Sequence, residues 1–130
     1  MLDTNICIYI AKHQPAAVRR HFERLKPGQV VMSAITHGEL YYGACKSNQR
    51  TQALAQLDEL IRDIPVVEMG TDAAQVYGEV RVMLEKQGRP IGNNDLWIGA
   101  HALALDLTLA TNNEREFKRI AGLTVENWAA

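Results

Sequence analysis

The sequence predicts an α/β domain with a central, mostly parallel β-sheet and helices on both faces. Three observations predict it. Short β-rich runs alternate with longer segments of helical periodicity, and that order builds parallel sheets because each crossover carries a helix. The candidate polar residues stand just past those runs or at helix starts, where open α/β sheets collect their sites. The 130 residues, 47% hydrophobic and 22% charged, suffice for one compact domain, residues 1–130, with a real core.

Met1-Leu2-Asp3-Thr4-Asn5 reads as a short strand ending in Asp-x-Asn, followed by an apolar helix start at Ile6–Ala11. Asp3 and Asn5 there either cap the helix or serve a site at the strand's carboxyl end. Two residues before Asp3 are few for a central strand, and the native chain could start upstream of Met1. Pro15 to Lys26 reads as a helix with a basic face (Arg19, Arg20, Arg24) and an apolar stripe (Val18, Phe22, Leu25). The basic face is either solvated or an edge that meets phosphates. Pro27-Gly28 makes a turn, Gln29–Met32 a strand, and Ser33 an N-cap. The helix from Ala34 to about Cys45 carries Glu39 between Gly38 and Gly43. Glycine within a helix costs about 1 kcal/mol relative to alanine, so the pair predicts close approach of a neighbour. His37 reads as a surface or packing residue. Lys46 to about Arg62 is amphipathic, Pro65–Met69 a strand, and Thr71 the cap of a long helix to Gln87. Gly88 stands where a helix-ending glycine belongs.

The stretch Arg89–Ala102 organises the rest. A breaker cluster runs into Leu96, Trp97, Ile98, Ala100, Ala102, Leu103, Ala104 and Leu105, which leave no polar face. A helix apolar all round is buried. Asn93 or Asn94 can cap it, and Asp95 falls in the first turn, where the helix dipole favours a negative charge. Leu107–Thr111 is a strand, Asn112–Phe117 a loop and short helix, and Leu123–Glu126 a last edge strand with Trp128 packed under it.

The net charge of −1 excludes a protein that coats nucleic acid non-specifically. Any nucleic acid must be met by a local patch or a metal site. Arg19, Arg20 and Arg24, with Lys46, Arg50, Arg89 and Arg115, are the candidates for tracking phosphates. Cys7 and Cys45 lack metal-ligand spacing and read as reduced, buried residues of a cytoplasmic protein. No segment is long enough to span a membrane. Asp3, Glu39 and Asp95, brought into one pocket, would repel one another, and a divalent cation resolves that. Oxygen ligands without cysteine or a histidine pair favour Mg²⁺ or Mn²⁺ over Zn²⁺. The matching chemistry is metal-assisted hydrolysis of a phosphodiester.

Four motifs in order then carry a resemblance: Leu2-Asp3-Thr4-Asn5; Ser33-x-x-Thr36-x-x-Glu39-Leu40-x-x-Gly43; Gly92-x-x-Asp95-x-x-Ile98-x-x-His101-Ala102; and Ala110-Thr111-Asn112-Asn113-x-x-x-Phe117. Together they resemble the PIN-domain ribonucleases over essentially the whole chain, and more narrowly the VapC toxins of bacterial VapBC toxin–antitoxin modules. The resemblance implies a PIN fold and a Mg²⁺- or Mn²⁺-dependent endoribonuclease. Asp3, Glu39 and Asp95 match its metal-binding acids, and Asn5 and Thr111 its polar supports. The Asn112-to-Phe117 ending looks like that of the enteric VapC toxins, which implies a transfer RNA substrate, initiator tRNA cut in the anticodon loop above all. Many PIN domains carry a fourth acid where Asn113 stands. Asn113 can still bind metal or water through its carbonyl oxygen, and Glu116 either substitutes for the acid or is a surface charge. The resemblance further implies a VapB antitoxin that inserts a basic side chain, operator DNA bound only through that antitoxin, and a homodimer.

Three rivals remain. A phosphotransferase of the haloacid dehalogenase type needs a second Asp two residues after the first, where Asn5 stands, and a later lysine that is missing. A receiver-type phosphoacceptor needs an acid pair at the first strand. A PIN-like binding module without activity loses the acids, whereas this chain keeps three.

Overall fold

The computed structural model describes residues 1–26 and 28–129; Pro27 of the expected Pro27-Gly28 turn lies outside them. The helices are α1 (Thr4–Lys12), α2 (Ala16–Glu23), α3 (Ala34–Cys45), α4 (Arg50–Asp63), α5 (Thr71–Lys86), α6 (Asn93–Ala104) and α7 (Glu114–Phe117). The strands are β1 (Met32–Ser33), β2 (Val66–Val67), β3 (Leu109–Thr111) and β4 (Val125–Asn127). Both strand pairs are parallel. Leu2 bridges them, in parallel with Met32 on one side and Ala110 on the other. One row across the sheet therefore reads Val66, Met32, Leu2, Ala110, Glu126.

The expected first strand is thus a single bridging residue in the middle of the sheet. Asp3 ends it at once, because its side chain accepts from the Ile6 N–H at 3.0 Å and starts α1 at Thr4. Short segments suffice because alternation, not length, defines the faces. Leu2, Met32 and Ala110 face a core with Ile6, Ile10, Val18 and Ile64, against α1, α2 and α4. Their neighbours Met1, Val31 and Leu109 face a second core with Leu84, Leu96, Ile98 and Phe117, against α5, α6 and α7. Helices on both faces of a parallel sheet are what the alternation predicts.

Several local expectations are corrected. Lys46–Gln49 is a turn, so α4 begins at Arg50. Gly70, not Thr71, is the N-cap of α5. Neither Asn93 nor Asn94 caps α6: Gly92 holds the cap position, and Asn93 instead accepts from the Tyr77 hydroxyl, tying α6 to α5. Gly38 and Gly43 admit no close neighbour, since a Cβ on either would meet open space. The glycine that does permit close approach is Gly99, where a Cβ would lie 2.5 Å from the Ile120 side chain. Cys7 is buried and Cys45 only half-buried. Trp128 is buried, stacked on His21. No helix among the described residues is long and apolar enough to cross a membrane.

Candidate active site

Asp3 is 4% exposed and both carboxylate oxygens are engaged. One accepts from the Ile6 N–H, the other from the Thr111 hydroxyl at the end of β3. The cap and the adjacent strand therefore fix this acid. Thr111 also accepts from the Asn113 N–H at 2.9 Å, locking the turn into α7.

Glu39 sits two turns into α3, half-buried. The Thr4 hydroxyl lies 2.7 Å from its Oε1 and 3.2 Å from the Thr36 hydroxyl. With a single proton, Thr4 donates to the carboxylate and leaves its own oxygen to accept from Thr36. Thr4 and Thr36 are the residues that sequence reasoning gave no role. Their signal lay in the motifs: Thr4 adjoins Asp3, and Thr36 precedes Glu39 by three, on the same helix face.

Asp95, in the first turn of α6, accepts no side-chain hydrogen bond among the described residues. Its carboxyl is pushed up to about 6, first by burial and then by the charges of Asp3, Glu116 and Glu39. Asp3 is also held above the ordinary carboxylate range by burial and by Glu39, against the pull of its two hydrogen bonds. Like charges that raise one another must share one region. Asp3, Glu39, Asp95 and Glu116 therefore lie near enough to feel one another's charge. The Asn113 side-chain amide donates to Glu116 at 3.0 Å. Asn113 thus carries no charge itself but positions the acid next to it.

The remaining polar residues form a side chain relay at the rim. Asn5 donates to Asn112 at 3.4 Å, and Asn112 donates to the Tyr9 hydroxyl at 2.9 Å. Arg20, Arg24, Lys46, Arg50, Arg89 and Arg115 are all exposed. Arg19 is paired with Glu23 at 2.7 Å, and Lys46 stands 5.1 Å from the centre of the Tyr42 ring. A groove of about 700 Å³ leads from Glu39 and Asn94 past Thr4, Ile8 and Ile35 to Tyr42, which is 65% exposed.

The acids around Asp3 offer oxygen donors, and the buried Cys7 thiol nearby is pushed up by burial and by the Asp3 charge, so it stays protonated. No three His, Cys, Asp or Glu side chains among the described residues stand close enough to enclose a metal ion as they are. The acids form a shared negative field, not a closed cage. That suits a small hard cation that keeps part of its water shell and takes only one or two carboxylates directly.

A two-faced parallel sheet whose edge gathers acids from the chain start, α3, α6 and α7 defines a class. Residues 1–123 match the PIN domain, and the chain belongs to that family. It is 43% identical to the tRNA(fMet)-specific endonuclease VapC of Shigella flexneri, over 99% of this chain and 97% of the relative. Among solved structures it resembles the VapBC2 complex of Rickettsia felis bound to a promoter DNA fragment (40% identity, TM-score 0.90, 98% and 97% covered). It also resembles VapBC-1 of nontypeable Haemophilus influenzae (41% identity, TM-score 0.91, 100% and 98% covered). Within the PIN family the chain belongs to the VapC ribonucleases.

Proposed function

We propose that this chain, acting as one domain, is a Mg²⁺- or Mn²⁺-dependent endoribonuclease toxin that cuts transfer RNA, initiator tRNA in the anticodon loop, and so stops translation. The observation that carries the reading is Asp95, raised to about 6 first by burial and then by the charges of Asp3, Glu116 and Glu39. Asp3, Asp95, Glu39 and Glu116, with the carbonyl oxygen of Asn113, are the groups that would hold the cation. When bound, such an ion supplies charge neutralisation at the scissile phosphate and a water acidic enough to attack. Thr111 and the Ile6 N–H keep Asp3 aimed, and each Asp3 oxygen retains a lone pair for a further partner. Thr4 orients one Glu39 oxygen and leaves the other free. Asp95, which accepts no side-chain hydrogen bond among the described residues, keeps its oxygens available for the cation.

The groove supports a single-stranded substrate. Its apolar floor and the open Tyr42 ring offer a face to an unpaired base, and Lys46 beside it offers a charge to a phosphate. The VapBC complexes among its solved relatives support a VapB-type antitoxin as partner; in the proposed reading a basic side chain of that antitoxin enters the acidic field, operator DNA is bound through the antitoxin, and the toxin pairs as a homodimer in the cytoplasm. The test is purified protein with initiator and elongator tRNAs, with Mg²⁺ or with chelator, followed by mapping of the cut ends. The expected result is a metal-dependent cut in the initiator anticodon loop. Intact tRNA in both arms contradicts the reading.

A further inference from the structure

His101 is a buried titratable side chain that the proposed chemistry does not use. It is 1% exposed, and Ser33 is 0% exposed. Its Nε2 lies 3.1 Å from the Glu68 carbonyl and its Nδ1 lies 2.8 Å from the Ser33 hydroxyl. A carbonyl can only accept, so Nε2 carries the proton and Nδ1 is left to accept from Ser33. The Ser33 oxygen in turn accepts from the Ile35 N–H at 3.1 Å, so every group in the chain of bonds is satisfied.

The bond joins two particular helices. Ser33 is the N-cap of α3, and Glu39 lies six residues further on. His101 is on α6, and Asp95 lies six residues before it. Each acid stands about 9 Å along its helix from the joint, at 1.5 Å rise per residue. A tilt of roughly 10° at the joint would swing either carboxylate by about 1.5 Å over that arm. Misplacement of about 1 Å can cost on the order of 100-fold in rate.

We infer that His101 and Ser33 are positioning residues, and that the Nδ1–hydroxyl bond sets the spacing between Glu39 and Asp95. This rests on the reading of those acids as the reacting edge. The two halves of the imidazole can be separated by substitution. His101→Asn places an amide oxygen near the position of Nδ1 and keeps the bond to Ser33. His101→Gln places its amide near Nε2, keeps the bond to Glu68 and loses Ser33.

The experiment measures kcat and KM for cleavage of a tRNA substrate at a temperature well below the unfolding of every variant. The expected result is a kcat for His101→Asn within about threefold of the parent, and a loss of about 10- to 100-fold for His101→Gln with KM unchanged. Equal kcat in the two variants would overturn the inference, as would a loss that follows thermal stability. Should His101→Gln fail to fold, Ser33→Ala carries the same test, with Ser33→Thr as the rescue: reduced kcat restored by threonine supports the bond, and parental kcat in Ser33→Ala overturns it. Asp95→Asn runs alongside. If it is inactive while His101→Gln is fully active, only this inference fails; if Asp95→Asn is fully active, the reading of the acids fails first.

Discussion

Asp3 and Asp95 lie in one electric field yet are held in opposite ways. Asp3 is buried, bonded through both oxygens, and supports the fold by capping α1. Asp95 is half-buried, takes no side-chain bond among the described residues, and is raised to about 6 by burial and by its neighbours' charges. Both carboxylates are held above their ordinary range, but only Asp3 is also built into the fold by hydrogen bonds to Ile6 and Thr111. The difference predicts that substitutions at the two acids change stability in opposite directions.

The largest expected effect is on activity. Asp95→Asn and Asp3→Ala should each lower tRNA cleavage by about 100-fold or more, since stabilising the scissile phosphate is worth several kcal/mol. Single-turnover assays check this, and near-parental cleavage by either folded variant breaks the comparison. On stability the two should part. Asp3→Ala loses a cap and a buried hydrogen bond, about 2 kcal/mol. Asp95→Asn removes a partly buried charge and its repulsion with neighbouring acids, and should gain about 1 kcal/mol at pH 7, after allowing for solvent screening. Urea unfolding reads both signs.

The third effect is a pH slope. A folded pKa above the unfolded one means that the native state still holds a proton the unfolded chain has released. Stability therefore falls as pH rises from about 4 to about 6. Asp3, shifted the same way, adds to that slope. The slope should flatten in Asp95→Asn and persist in Glu126→Gln, and unfolding midpoints across that range decide. The smallest effect concerns the basic residues. Arg89 precedes α6 and Arg115 lies on α7, the elements that bring Asp95 and Glu116, whereas Arg19 is occupied by Glu23. Neutralising Arg89 or Arg115 should reduce the salt slope of RNA binding by about 0.7 each, and Arg19→Gln should leave it unchanged.

Much of this edge was legible in the residues. Asp3 after Leu2 and Asp95 before an unbroken apolar run both mark where an element changes type, and such changes are written in local pattern. Glu39 was legible only as part of its motif. What was not legible depended on partners far along the chain. Asn93 has the chemistry of a cap, but Tyr77 takes its oxygen. Gly38 and Gly43 suggest a tight contact, but a Cβ at either meets open space, and Gly38 borders the groove. The role of Asn113 as the holder of Glu116, and of Thr4 as the holder of Glu39, needs distances that spacing alone does not supply. The short central strand has a local cause instead: Asp3 bonds the Ile6 N–H and turns the chain into α1 after one bridging residue, the capping alternative that its position already offers.

The central claim is that several carboxylates share one field that a hard cation relieves. Carbon-detected NMR titration of the Asp95 carboxyl, with and without Mg²⁺, tests it most directly. The expected result is a midpoint near 6 without the ion and a fall of at least about one unit with it. A midpoint in the ordinary aspartate range, unmoved by Mg²⁺, would contradict it.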